Sequence, residues 1–163
     1  MQAESNFYQY QQKRTFILLA WGLGSTLLGL VGSLVSRSKL GRQFWLQAVA
    51  WGSIDAAIAG FGLKGQAQKI ELAAKDQIEP ATLAKDVSSY HRILLINVFL
   101  DVGYVLSGEA LRRWAKAARR EDRQGIGAGF IVQGLFLFGY DLFLTLEVGQ
   151  GWLKRITKAS ARN

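Results

Sequence analysis

The residues of this chain best placed to do chemistry are three aspartates. Asp55, Asp101 and Asp141 each lie inside an apolar stretch long enough to cross a lipid bilayer. A carboxylate in hydrocarbon must be protonated, hydrogen-bonded or bound to a cation, so an acid within a span marks either a proton or ion pathway or a bond between helices. The four apolar blocks contain no Lys or Arg to act as counter-ion. Each aspartate near the centre of a span costs roughly 2.5–3.5 kcal/mol on insertion, which directs all three inward, away from lipid. Polar and aromatic neighbours accompany them. Trp51 precedes Asp55 by one helical turn, Asn97 and Tyr104 share a face with Asp101, and Tyr140 adjoins Asp141. These seven residues form the candidate intramembrane binding layer.

The elements that must position this layer are four helices. Thr15–Ser36 holds no charged residue over 22 positions, and three further blocks carry one or two acids each. Spans are expected at 16–35, 44–63, 93–111 and 126–148, in one transmembrane domain covering 1–163. Phe16–Val35 is too long for the apolar core of a signal peptide and reads as a retained first span. Consecutive spans alternate in direction, so Asp55, Asp101 and Asp141 count seven or eight residues from the same side. At 1.5 Å per residue they should share one level, roughly 10–12 Å below that surface.

The segment 64–92 is the one sizeable piece outside the membrane. Pro80, the only proline, suits the first turn of a helix and divides the segment into two short amphipathic helices. Ile70, Ala74 and Ile78 mark the apolar face of the first, and Leu83, Val87 and Tyr90 that of the second. They either lie on the headgroups or cover the mouth of the bundle. The expected fold class is therefore all-α, an integral membrane four-helix bundle with a helical, amphipathic segment between spans two and three.

Small residues at four-residue spacing mark the faces on which helices pack, because in lipid close backbone approach supplies the contact energy. Ser25 and Gly29 form such a face on the first span, and Ala48, Gly52, Ala56 and Gly60 form a ladder on the second. Basic residues flank the spans. Arg112, Arg113, Lys116, Arg119, Arg120 and Arg123 continue the third span as a basic helix suited to anionic lipid headgroups. The tail after Gly149 carries Trp152 and four basic residues and should settle at the interface.

Composition narrows the chemistry further. The chain has no cysteine and a single histidine, His91, which removes thiol catalysis, thiolate metal sites and bis-histidine haem ligation. The net charge of +8 is accounted for by membrane anchoring, so nucleic acid is not an expected partner. The two short loops pack nine Lys and Arg into few residues, which favours that side as cytoplasmic.

At Trp51-Gly52-Ser53-Ile54-Asp55, and from Leu95 through Asn97 and Asp101 to Tyr104, the chain resembles an uncharacterised bacterial family of small four-helix membrane proteins. The resemblance runs from the second span to the fourth. It implies four spans and a place in the bacterial inner membrane, and supplies no activity.

Three function classes fit. A structural or accessory subunit of a larger membrane assembly, bound to other membrane subunits or to itself, explains the small size and small-residue faces. A cation- or proton-handling transporter or channel, acting as an oligomer through Asp55, Asp101 and Asp141, explains the acidic layer. An intramembrane metal-dependent enzyme comes third, because carboxylates suit hard cations but no catalytic constellation accompanies them. The first is the expected reading, with no enzyme activity, no required cofactor and an open metal assignment. Four spans put both termini and segment 64–92 on one side. Single cysteines at Ser5, Gln77 and Ser160 should therefore label from that side alone. A Gln77→Cys variant that labels opposite Ser5→Cys would refute the span count.

Overall fold

The computed structural model describes residues 2–156, with side chains from Asn6 onward. It contains α1 (Gln2–Val35), α2 (Lys39–Ala74), α3 (Pro80–Ala117), α4 (Glu121–Val148) and a closing π-helical turn, Gly149–Leu153. All four α-helices are long and apolar enough to cross a membrane. Large apolar side chains such as Leu34, Phe61 and Leu106 stand on the outside of the bundle, where lipid replaces a protein neighbour. The protein is an all-α integral membrane four-helix bundle.

Local chemistry sets the helix ends. The Ser38 hydroxyl accepts a hydrogen bond from Gly41 N at 3.0 Å and starts α2. Pro80 occupies the first turn of α3, where its missing N–H costs nothing. Two ends use a left-handed residue without glycine. Asp76 at φ 55° lets Gln77 N donate to Leu72 O, and Arg119 at φ 53° lets Arg120 N donate to Ala115 O. The second turn corrects the expected basic helix Arg112–Arg123. α3 stops at Ala117 and α4 starts at Glu121, because this turn satisfies the last carbonyls of α3 at the modest cost of one left-handed arginine.

Glycine brings the helices together in pairs. A Cβ on Gly22 would lie 2.7 Å from Gly52 O, and one on Gly52 would lie 2.6 Å from Gly22 O and 2.8 Å from Ser25 Cβ. Gly29 meets Val49 N and Trp45 O as closely, and Ala56 N faces Gly22. Ala48 is buried on the same helix. At Gly60 an added Cβ would meet nothing within 4 Å, so the contact ladder on α2 ends at Ala56. The α3–α4 hairpin closes in the same way, with Gly108 against Gly127 O. Gly125 and Gly129, one turn apart on α4, press on Leu40, Gln43 and Gln47 of α2 and join the two hairpins.

Above the spans the helices continue into a head with its own core. Segment 64–92 is helical, but its two parts are the extended ends of α2 and α3, with a break at 75–79. They cover the mouth of the bundle. Phe7 and Tyr8 of α1, Ala73, Ile78, Leu83, Val87 and Leu94 around the break, and Leu144 and Val148 of α4 are buried together. The buried alanine is Ala73, whereas Ala74 is exposed. The polar residues 2–15 belong to α1 and supply the two aromatics of this core. Of the basic tail, Lys154 and Arg155 follow the π turn, while Lys158, Ser160 and Arg162 lie outside the described residues. Trp152 reaches the head, with its ring centroid 5.3 Å from that of Phe7.

Two substitutions test this packing. Gly52→Leu forces a side chain into the backbone of α1 and should cost at least about 1–3 kcal/mol of unfolding free energy in detergent, against a small effect for the half-exposed Leu46→Ala. Equal effects would place the ladder against lipid. Phe7→Ala empties a fully buried position and should cost about 3–5 kcal/mol. Phe99→Ala, at a position 76% exposed, should be nearly neutral, and a similar loss in both would show that the head is not docked.

Candidate functional site

The polar residues of α2 and α3 meet along one seam. Positions on α2 at spacings of three, four and seven, Trp51, Asp55, Gly62, Gln66 and Lys69, share one face, and on α3 Asp86, Ile93, Asn97, Asp101 and Tyr104 do the same. A single antiparallel register places Trp51 opposite Tyr104, with ring centroids 4.8 Å apart, and Lys69 opposite Asp86, with Nζ 2.9 Å from Oδ2. Between these ends the same register sets Asp55 opposite Asp101. Both carboxyls are deeply buried, Asp55 4% and Asp101 3% exposed.

Asp141 joins them from α4 but not at the same level. It lies within electrostatic range of both Asp55 and Asp101, and the Asn97 amide stands beside it. Gly134 contacts Asp101 and Tyr104 on α3, and Gly129 contacts Gln47 on α2. Carried along the helices, the α2 register puts Asp141 about 2–6 Å nearer the head than Asp55, and the α3 register about 5–10 Å nearer the head than Asp101. The count from span ends expected one level. Leu144 and Val148, counted there within the fourth span, are buried in the head core.

The acids form a column, with Asn97 one turn above Asp101 and Asp141 beside Asn97, toward the head. Among the described residues no three His, Cys, Asp or Glu side chains converge closely enough to hold one metal ion. Among the described residues, four buried side-chain polar atoms lack a hydrogen-bond partner: Asp55 Oδ2, Asp101 Oδ2, Gln66 Oε1 and Thr145 Oγ1. Thr145 lies one turn above Asp141 on the same face of α4. Gln66 is anchored through its amide nitrogen, which donates to Thr15 Oγ1 at 2.8 Å, leaving its oxygen unused. Buried polar atoms are almost always paired, so four orphans along one column indicate groups that take a proton, water or cation as partner.

Below the column the rings of Trp51, Tyr104 and Phe130 close together, with Phe130 5.8 Å from Trp51 and 6.5 Å from Tyr104. Above it, between the extended ends of α2 and α3, lies an open cavity of about 320 Å³ whose lining includes Gln66, Lys69, Asp86, Ser89 and Tyr8. The Tyr8 hydroxyl donates to Asp86 Oδ2 at 2.7 Å, so the ion pair at this mouth is tied to the head core.

Tyr140 serves a different contact. Gln133, Phe136, Tyr140, Phe143 and Glu147 recur at spacings of three and four on the face of α4 that meets α1. Trp21 Nε1 donates to Gln133 Oε1 at 3.0 Å, Trp21 stacks on Phe136 at 3.6 Å, and the Tyr140 hydroxyl donates to Arg14 O at 2.7 Å. Arg14 and Tyr10 both bond Glu147. Burial, and then the Glu147 bond, hold the Tyr10 phenol well above its ordinary range, so it stays a donor. Eight residues leave Gln133 and Asp141 about 80° apart around α4, whereas the seven from Gln133 to Tyr140 leave about 20°. That spacing and the glycines at 125, 127 and 129 are the sequence signals that identify the α4 contacts.

The basic residues sit at the opposite end of the bundle. Arg112 and Arg113 bond Glu109 at 2.8 and 2.6 Å, and Arg120 and Arg123 pair with Asp122 at 3.3 and 3.6 Å. All four guanidinium side chains remain largely exposed, as does Trp114 beside them, while Lys116 and Arg119 are exposed around the turn.

Fold and site together define a four-span membrane protein whose bundle encloses a column of acids. The chain belongs to DUF6992, a family of unknown function whose model matches residues 17–142. The match takes in all three aspartates and leaves out Phe7, Tyr8 and Trp152, which close the head. No curated protein and no solved structure matches the chain.

Proposed function

We propose that this protein binds and handles a cation, the proton included, within the bilayer, through Asp101 and Asp55 with Asp141 and Asn97 above them. The observation that carries this reading is the pair of orphaned oxygens, Asp55 Oδ2 and Asp101 Oδ2, both buried and facing no basic residue within the spans. Acids that merely glued helices together would be hydrogen-bonded to their neighbours, because an unsatisfied buried acceptor costs about 1–3 kcal/mol. A charged or protonated species supplied from outside the chain fills that role. Asp101 is the centre, Asp55 shares the charge, and the Asn97 amide orients Asp141. This function involves no bond-breaking step and no resident cofactor, and the protein is not an enzyme on this reading.

The surrounding partners follow from the surface. The outward apolar side chains face acyl chains, and the cations of Arg112, Arg113, Lys116, Arg119, Arg120 and Arg123 contact anionic headgroups. Nucleic acid is not a partner, and the bacterial inner membrane is the proposed location. The accessory-subunit reading keeps one observation in its favour. Gly60, Gly103 and Gly139 are exposed with open space where a side chain would stand, which leaves bare backbone on outer faces for another membrane subunit or a second copy. Recovery of the purified protein with a stoichiometric partner subunit would favour that role.

The test separates charge from shape at Asp101. Asp101→Asn keeps the outline and most hydrogen-bonding capacity, and Asp101→Leu removes both. Melting of purified wild type should respond to pH or to added Na⁺, Mg²⁺ or Ca²⁺, and Asp101→Asn should fold and lose that response. A wild type indifferent to pH and to all three cations would overturn the proposal. A wild type without response whose fold survives Asp101→Asn but not Asp101→Leu would identify the layer as structural glue.

A further inference from the structure

The polar seam between α2 and α3 differs at its two ends. Toward the head it widens into the open cavity of about 320 Å³, whose wall includes Gln66, the residue that carries the buried, orphaned Oε1. Toward the short loops it ends at the edge-on pair Trp51–Tyr104, backed by Phe130. The tight glycine contacts lie elsewhere, at Gly22–Gly52, Gly108–Gly127 and between α2 and α4. The seam is therefore held by side chains, with no backbone crossing to seal it. Every orphaned buried polar atom among the described residues falls on this route or beside it.

We propose that the α2–α3 seam is a one-sided hydrophilic entry, leading from the head-side cavity past Gln66, Asn97 and Asp141 to the Asp55–Asp101 pair, and closed on the short-loop side by Trp51, Tyr104 and Phe130. The inference rests on the cation-handling reading for its purpose but not for its geometry. The Lys69–Asp86 ion pair flanks the mouth, so the entering species passes charges of both signs before it reaches uncompensated acids. From Gln66 and Ser89 the register leaves about 12 Å, past Gly62 and Ile93, to Asn97; from there Asn97, Asp141 and the Asp55–Asp101 pair follow within about one to two turns, and the aromatic cluster closes the far end.

A chain without cysteine allows a direct test by single substitution. In proteoliposomes, Ser89→Cys at the mouth, and Asn97→Cys and Thr145→Cys deeper in, are challenged with a small membrane-impermeant methanethiosulfonate from one side at a time. Gln77→Cys and Ser38→Cys report the two faces. The mouth and at least one deep cysteine should react at least ten-fold faster from the Gln77 side, and adding Trp51→Ala should make the deep cysteine reactive from the Ser38 side as well. Having two deep reporters guards against one variant failing to fold. Deep cysteines silent from both sides, or reactive from the Ser38 side with Trp51 intact, would overturn the one-sided entry, and so would a Trp51→Ala variant that opens nothing. Labelling reads water access and not cation binding. Labelling as expected with melting indifferent to pH and cations would overturn the functional reading alone, whereas cation-responsive melting with failed labelling would overturn the entry alone.

Discussion

Acids buried in hydrocarbon with no basic partner impose the constraint from which the rest of this structure follows. A carboxylate cannot face lipid at the level of Asp55 or Asp101 without a penalty comparable to a large part of a domain's stability. Each must therefore be turned inward and screened by neighbouring helices. Enclosure needs helices that hold together in a solvent giving them little reason to associate. The chain meets that need with glycine: backbone touches backbone at Gly22–Gly52 and Gly108–Gly127, and α4 presses on α2 through Gly125 and Gly129.

These contacts are unevenly distributed, and the unevenness matters for function. Each hairpin is sealed within itself, and α4 ties the hairpins together on one side. The α2–α3 contact is left to longer side chains, which can carry polar atoms where a glycine crossing cannot. The head compensates for the looser seam. It gathers Phe7 and Tyr8 from α1, Ala73 and Ile78 from the α2 side of the break, Leu83 and Val87 from α3 and Val148 from α4 into one core outside the bilayer. There, ordinary hydrophobic burial is available as a driving force.

Much of this was legible in the sequence, for physical reasons that also explain what was not. Four spans follow from block length and charge placement, and the facing of Asp55 and Asp101 follows from turn counting in two apolar blocks bounded by Leu63-Lys64 and Arg92-Ile93, inside helices that run on past those points. Hydropathy left the end of the fourth span open, because it does not distinguish a side chain buried by lipid from one buried by protein, and Leu144 and Val148 are of the second kind. Tyr140 was grouped with its chain neighbour Asp141, although adjacent residues on a helix point about 100° apart. Gln66 and Thr145 carried no signal of their own, since an amide and a hydroxyl gain meaning only from what fails to bond them. The glycines at 125, 127 and 129 were readable: the outer two are one turn apart and face α2, and the middle one faces α3.

The ring contact between Phe7 and Trp152 also bears on how the protein is made. Phe7 packs against Trp152, far along the chain, so the head core is incomplete until Trp152 has left the ribosome. At about 5–20 residues per second, Phe7 and Tyr8 wait roughly 7–30 s for their final neighbours while four spans enter the bilayer around them. The hairpins can assemble from neighbouring segments as they emerge. The head comes last, so the mouth of the acidic column is shaped only after the membrane portion is in place, and a chain released early would carry spans and acids without the structure that surrounds their opening.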